Sequence, residues 1–208
     1  GETSIALRSI SKSASERIAK YAFTTAEQRN GKRKVTCVHK SNVMKKTDGL
    51  FAKTCELVSK NYPKIAFEQM YVDACAMNLI RQPEAFDVIV TTNLFGDILS
   101  DEASQVVGGL GMAPAANIGD KFALFEPVHG AAFDIAGKQI ANPSSFILSA
   151  KMMFEWLGMK NNDKSCYDVA KKIEDAVYGV VKEGIKTKDI GGNKSTREFT
   201  QNVISRIT

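Results

Sequence analysis

VIVTTNLFGDILSDEASQVVGGLGMAPAANIG, residues 88–119, decides how the chain is read. Val88, Ile89 and Val90 form a short β-branched run, the mark of a buried strand. The run ends at Thr91, Thr92 and Asn93, where a helix should start. That helix carries Asp97 and Asp101, and positions i and i+4 share one helix face. Like charges so placed repel by roughly 0.2–0.5 kcal/mol unless something pairs with them. A divalent cation is such a partner, because hard cations take oxygen ligands from one or two carboxylates. Taken alone, the same spacing also describes an ordinary solvated helix face. The surroundings tip the reading.

Upstream, the pattern alternates. Thr3 to Ile10 suits an exposed strand or arm. Ser13 and Glu16 fit a capping box, followed by a helix whose face is Ile18, Ala19, Ala22, Phe23 and Ala26 and which ends near Gly31. Lys34 to His39 reads as a strand, Leu50 to Val58 as a helix, Ile65 to Val72 as a strand, and Ala74 to Ile80 as a short helix closed by Pro83. Strand and helix in turn argue for an α/β domain with a parallel sheet. After Gly108 the character changes. Gly108, Gly109, Gly111, Pro114 and Gly119 make a loop-rich passage where a domain crossing is expected, giving domains 1–108 and 109–208. Beyond it, Asn142 and Pro143 begin a helix with Phe146, Ile147, Ala150, Met153, Phe154 and Leu157 as its buried stripe and Gly158 as its stop. A helix over Tyr167 to Lys182 follows. Ser195 and Glu198 form a second capping box before a last helix.

The totals limit the options. The chain has 208 residues, 44% apolar and 25% charged, enough for a real core. No apolar run could span a bilayer, and the start lacks a signal-peptide core. Cys37, Cys55, Cys75 and Cys166 show no CxxC spacing and read as reduced thiols of a cytoplasmic protein. The net charge of +5 is too small and too scattered to argue for nucleic acid, though it can help attract an anionic substrate.

In α/β sheets, ligands bind beyond the carboxyl ends of the strands. Lys40 follows one strand, Asp73 the next, and Asn93, Asp97 and Asp101 the third. Three carboxylates can hold Mg²⁺ or Mn²⁺, and a nearby lysine can shuttle a proton. Each residue also has a plainer role: Lys40 as a surface lysine, Asp73 as a helix cap before Ala74. A second cluster is EPVHGAAFDIAG at 126–137, with Asn142 close behind. His129 is one of two histidines, and the glycines near it allow close backbone approach to a ligand. A Gly-rich turn would look the same. No GxGxxG, P-loop, HExxH or GxSxG motif is present, so an ordinary Rossmann phosphate loop is not supported.

Together, VTCVHKSNVMKKTDGLF, MYVDACAMNL, NLFGDILSDEASQVVGGLGMAPAANIG, FEPVHGAAFDIAGKQIANP and DIGGNKSTREF resemble the β-decarboxylating dehydrogenases, the isocitrate/isopropylmalate dehydrogenase family. The likeness covers nearly everything from Ser13 onward and is strongest to the archaeal type of 3-isopropylmalate dehydrogenase. It implies that family's α/β fold: the smaller dimerisation domain followed by the C-terminal part of the large cofactor-binding domain.

The resemblance also implies roles. Asp97 and Asp101 would ligate Mg²⁺ or Mn²⁺, with Asp73 completing the site from the other subunit of a homodimer or higher assembly. Lys40, also reaching across, would take the substrate hydroxyl proton, with Asn42 beside the nicotinamide. Glu126, His129, Gly130, Ala131, Asp134, Ile135 and Asn142 would line the NAD site, with Asp189 in a later cofactor-side segment. Asp134 favours NAD over NADP, since an acid accepts ribose hydroxyls and repels a 2′-phosphate. The implied reaction is oxidative decarboxylation of a 2-hydroxy acid, foremost 3-isopropylmalate in leucine synthesis. Isocitrate or homoisocitrate are alternatives, as is a non-catalytic regulatory subunit of the family, against which the retained Lys40, Asp73, Asp97 and Asp101 argue. Phe133 departs from the family, standing where proline is common. The family's catalytic tyrosine and substrate-binding arginines would precede residue 1, so this chain alone should be poorly active.

Overall fold

The computed structural model describes residues 1–207, which divide into two compact units, one from Gly1 to Val106 and one that begins at Val107.

The first unit alternates as the pattern predicts. Its order is α1 (Lys12–Arg29), β1 (Lys34–His39), α2 (Thr47–Ser59), β2 (Ala66–Tyr71), α3 (Val72–Arg81), β3 (Val88–Thr91) and α4 (Asn93–Val106). The three strands form a parallel sheet in the order β2-β1-β3. β1 is central, and Val35 to His39 are all buried, as a strand covered on both faces must be. On one face Val35 and Cys37 meet Ala19, Phe23 and Ala26 of α1 and Phe51, Cys55 and Val58 of α2. Phe23 is fully buried and stacks on Tyr62 at 4.9 Å between ring centroids. On the other face Val38 meets Cys75 and Leu79 of α3 and Leu99 of α4. Because β1, β2 and β3 run the same way, their carboxyl ends share one edge of the sheet. The segments carrying Lys40, Asp73 and Asp97 leave from that edge.

The thiols at positions 37, 55 and 75 are buried and all four cysteines are free. A hydrogen bond with Cys55, together with burial, holds Cys37 far above the ordinary thiol range, and burial pushes Cys75 up to about 11. Neither is a nucleophile at neutral pH.

Three expectations for this unit change. The cap of α1 is Ser11, whose hydroxyl accepts the Ala14 amide at 3.2 Å, rather than Ser13. Ile18 is exposed, so the buried face of α1 is narrower than its apolar pattern. Residues 1–11 form no strand.

The second unit holds an antiparallel hairpin, β4 (Pro114–Ile118) with β5 (Ala123–Pro127), and three helices, α5 (Ser144–Asn161), α6 (Lys164–Lys182) and α7 (Thr196–Ile207). β4 lies inside the passage that reads as loop, where Gly and Pro mask a strand of five residues. Leu148 of α5, Val177 and Val180 of α6, and Phe199 and Val203 of α7 make the core. The expected stripe of α5 is displaced: Phe146 is 67% exposed, and the buried face is Ser144, Ser145, Leu148 and Ser149. The small serines bring the hairpin backbone close and satisfy it. Ser145 donates to the Ala113 carbonyl at 2.5 Å and Ser149 to the Glu126 carbonyl at 2.7 Å. α5 also runs past Gly158 to Asn161, where Asn162 takes the left-handed cap conformation. The second capping box forms in both directions: the Ser195 amide donates to Glu198 Oε2 at 2.9 Å and the Glu198 amide to Ser195 Oγ at 3.2 Å. Among the described residues no helix is long and apolar enough to cross a membrane.

Candidate active site

Lys40 is the first residue beyond β1, and Asp73 sits in the first turn of α3, directly after β2. Since His39 and Tyr71 are register partners on neighbouring strands, the two residues leave the sheet side by side. Lys40 Nζ donates to Asp73 Oδ1 at 2.5 Å. The ammonium also lies 5.9 Å from the Tyr71 ring centroid, within cation–π reach. α3 starts two residues earlier than the pattern indicates, with Tyr71 as cap, so Asp73 is inside the first turn rather than the capping residue. The Lys40 hydrogen bond, then its own backbone amide, holds the Asp73 carboxyl below its ordinary range.

His39 is buried. Its Nδ1 accepts the Ser41 amide at 3.3 Å, which leaves Nε2 to donate to Gln69 Oε1 at 3.1 Å. It packs edge-on against Tyr71 and shapes the strand end rather than offering a ligand. Asn42 is exposed in the turn that follows Lys40.

Asp97 and Asp101 lie one turn apart on α4, both exposed. Among the described residues no Lys or Arg pairs with either. Two free carboxylates on one helix face suit a hard divalent cation, and the donor set fits Mg²⁺ or Mn²⁺. Within one copy, no three His, Cys, Asp or Glu side chains among the described residues gather into a metal-binding group.

In the second unit, Glu126 lies on β5 and accepts from Asn117 Nδ2 at 2.9 Å across the hairpin. His129, Gly130 and Ala131 follow in an exposed segment, and His129 Nδ1 lies 3.0 Å from the Gly130 carbonyl oxygen. Asp134 and Ile135 sit in a 3-10 turn, Phe133–Ile135, with Asp134 exposed. Asn142 works in two directions: its Oδ1 accepts the Ser144 amide at the start of α5, and its Nδ2 donates to Asp189 Oδ2 at 3.0 Å. Asp189 in turn accepts from Thr187 Oγ1 at 2.5 Å. Gly111 completes the cluster by absence of a side chain: a Cβ there would stand 2.9 Å from both Asn142 Cβ and Asp189 Oδ2. The sequence reading had no signal for Thr187 or for the role of Gly111. Only the fold shows that residues 111, 142 and 189 meet.

The chain belongs to the isocitrate/isopropylmalate dehydrogenase family, whose model matches residues 1–203. It is 55% identical to a 3-isopropylmalate dehydrogenase of Archaeoglobus fulgidus over all of this chain and 61% of that protein. It is 50% identical to an isocitrate/homoisocitrate dehydrogenase of Thermus thermophilus, over 99% of this chain and 59% of that protein. The crystal structure of isocitrate dehydrogenase from Methylococcus capsulatus superposes with a TM-score of 0.88 at 44% identity, covering 97% of this chain and 58% of that one. The chain thus spans about 60% of the length of these relatives.

Proposed function

We propose that the whole protein is an NAD-dependent, metal-assisted dehydrogenase that oxidises and decarboxylates 3-isopropylmalate, a cytoplasmic step of leucine synthesis. One observation carries the reading: the Lys40–Asp73 pair at the ends of adjacent parallel strands, on the same sheet edge from which the Asp97–Asp101 helix departs.

When bound, NAD⁺ supplies a hydride acceptor and the divalent cation a Lewis acid. Asp97 and Asp101 of one copy, with Asp73 of the second, would hold the cation. Lys40 takes the proton from the substrate's C2 hydroxyl and ends the transfer as an ammonium, the form that the Asp73 carboxylate stabilises. The C2–H bond breaks with its electron pair leaving as hydride. The β-keto acid so formed then loses CO₂, and the electrons of the broken carbon–carbon bond remain as an enolate until a proton returns.

In the second unit, which we read as part of the cofactor-binding domain, Glu126, His129, Gly130, Ala131, Ile135 and Asn142 would line the dinucleotide, and Asp134 would accept its ribose hydroxyls. In the first unit, Asn42 would flank the nicotinamide. Helices α3 and α4 present Met77, Ile80, Leu94 and Ile98 to solvent, an apolar surface suited to a dimer interface.

The names of the relatives also favour a second reading, isocitrate or homoisocitrate as substrate. Initial rates of the whole protein with each of the three acids, NAD⁺ and Mg²⁺ separate them. A kcat/KM at least about tenfold higher for 3-isopropylmalate, a transition-state preference of some 1.4 kcal/mol, is expected. Higher values for either other acid would overturn the substrate choice. No turnover of any of them would return the protein to a regulatory role.

A further inference from the structure

We propose that Asp48 is a positioning residue that fixes the main chain of Lys40 and, through Arg8, ties the Lys40 loop to the start of α4. The proposal rests on the reading of Lys40 as proton acceptor.

Asp48 lies in the first turn of α2 and is fully buried. Its Oδ2 accepts the Lys40 amide at 2.7 Å, and its Oδ1 lies 3.1 Å from Arg8 Nη2. Loop 40–48 is closed on itself as well: the Met44 amide donates to the Lys40 carbonyl, and the Asp48 amide to the Met44 carbonyl. Both main-chain polar groups of Lys40 are therefore held by the loop. Arg8 reaches further. Its Nη2 donates to Thr92 Oγ1 at 2.6 Å, Nη1 lies 2.8 Å from Met44 Sδ, and the guanidinium sits 5.0 Å from the Phe95 ring centroid.

A buried carboxylate is costly unless paired and hydrogen-bonded. Holding α2 does not explain this one, since among the described residues its oxygens cap no amide of that helix. Instead Oδ2 holds the amide of the residue whose amine would do the chemistry, and Oδ1 faces Arg8. A lysine stem has four rotatable bonds, so the reach of Nζ is set first by where the main chain is pinned. Misplacement of a reacting group by about 1 Å costs on the order of a hundredfold in rate.

The test uses the whole enzyme with Asp48→Ala, Asp48→Asn and Lys40→Met, each measured for melting temperature, kcat and KM per folded dimer, and solvent isotope effect on kcat. Asp48→Ala is expected to lower kcat about tenfold or more with KM within threefold, because proton transfer alone is slowed. The solvent isotope effect should rise for the same reason. Asp48→Asn keeps the shape and an acceptor oxygen but loses the charge that holds Arg8; a fall of about threefold with a raised isotope effect is expected. Should Asp48→Ala not fold, the Asp48→Asn result decides. A kcat within twofold of wild type and an unchanged isotope effect in the folded Asp48 variants, whatever their melting temperature, would overturn the proposal. An active Lys40→Met enzyme would instead remove the reading beneath it.

Discussion

Lys40 Nζ and Asp73 Oδ1 stand 2.5 Å apart, each delivered by the end of its own strand in a parallel pair. The pair is solvent-facing, with the Asp73 side chain 66% exposed, so its worth to stability is small. Its value is in fixing where an amine and a carboxylate lie relative to each other.

The first prediction concerns the proton on Asp73. Its pKa is depressed by the Lys40 hydrogen bond and by its own backbone amide. A depressed carboxylate contributes stability that is fully present above its unfolded value and is lost as pH falls through the folded value. Carboxyl carbon NMR should therefore give Asp73 a midpoint below the ordinary range of about 3.9. In Lys40→Met the midpoint should move upward. An unmoved midpoint would mean that the two groups do not pair in solution.

Cofactor choice should follow Asp134. Its carboxylate is exposed on a 3-10 turn, where it can accept two ribose hydroxyls and would repel a 2′-phosphate. Asp134→Lys in the whole protein should raise KM for NAD⁺ and lower it for NADP⁺, shifting the preference about tenfold or more toward NADP⁺, some 1.4 kcal/mol. Initial rates with both dinucleotides check this, and a wild-type KM lower for NADP⁺ would contradict it.

Gly192 is predicted to be irreplaceable. A Cβ there would lie 2.0 Å from the Lys186 carbonyl oxygen, a backbone atom that cannot swing aside. The Gly192 amide closes the same turn on the Thr187 carbonyl at 2.8 Å. Gly192→Ala should lose about 2 kcal/mol or more of stability by thermal or urea unfolding, in the range of severe overpacking. It should also weaken dinucleotide binding, because Thr187 and Asp189, which meets Asn142, sit in that turn. A stability loss with unchanged dinucleotide affinity would show that Asp189 is remote from the cofactor.

Much of the first unit is legible in the chain because its signals are local and periodic. Val35 to His39 is a β-branched-rich strand that is buried throughout, and the helices around it carry one-sided apolar faces. The second unit is harder. Pro114 to Ile118 falls in the glycine- and proline-marked passage that reads as loop, and it is a strand by pairing with Ala123 to Pro127 and packing against α5. The buried side of α5 is misread for a related reason: hydrophobicity points at Phe146, whereas the hairpin needs the compact hydroxyls of Ser145 and Ser149. The chemistry divides similarly. Lys40, Asp73, Asp97 and Asp101, the residues proposed for the site, are picked out by position after successive strands. Asp48 and Arg8 do not, since a helix-start acid and an arm arginine look ordinary until the fold brings them together.

Whether acidic groups from two copies complete one site is best tested by subunit complementation in the whole protein. Lys40→Met and Asp97→Asn subunits, each inactive alone, are unfolded together and refolded in equal amounts. If Lys40 of one copy serves the Asp97–Asp101 pair of the other, half the dimers are hybrids, each with one intact site, and about a quarter of wild-type activity returns. If each copy assembles its own site, every site in the mixture carries a defect, and activity stays at the level of the separate variants.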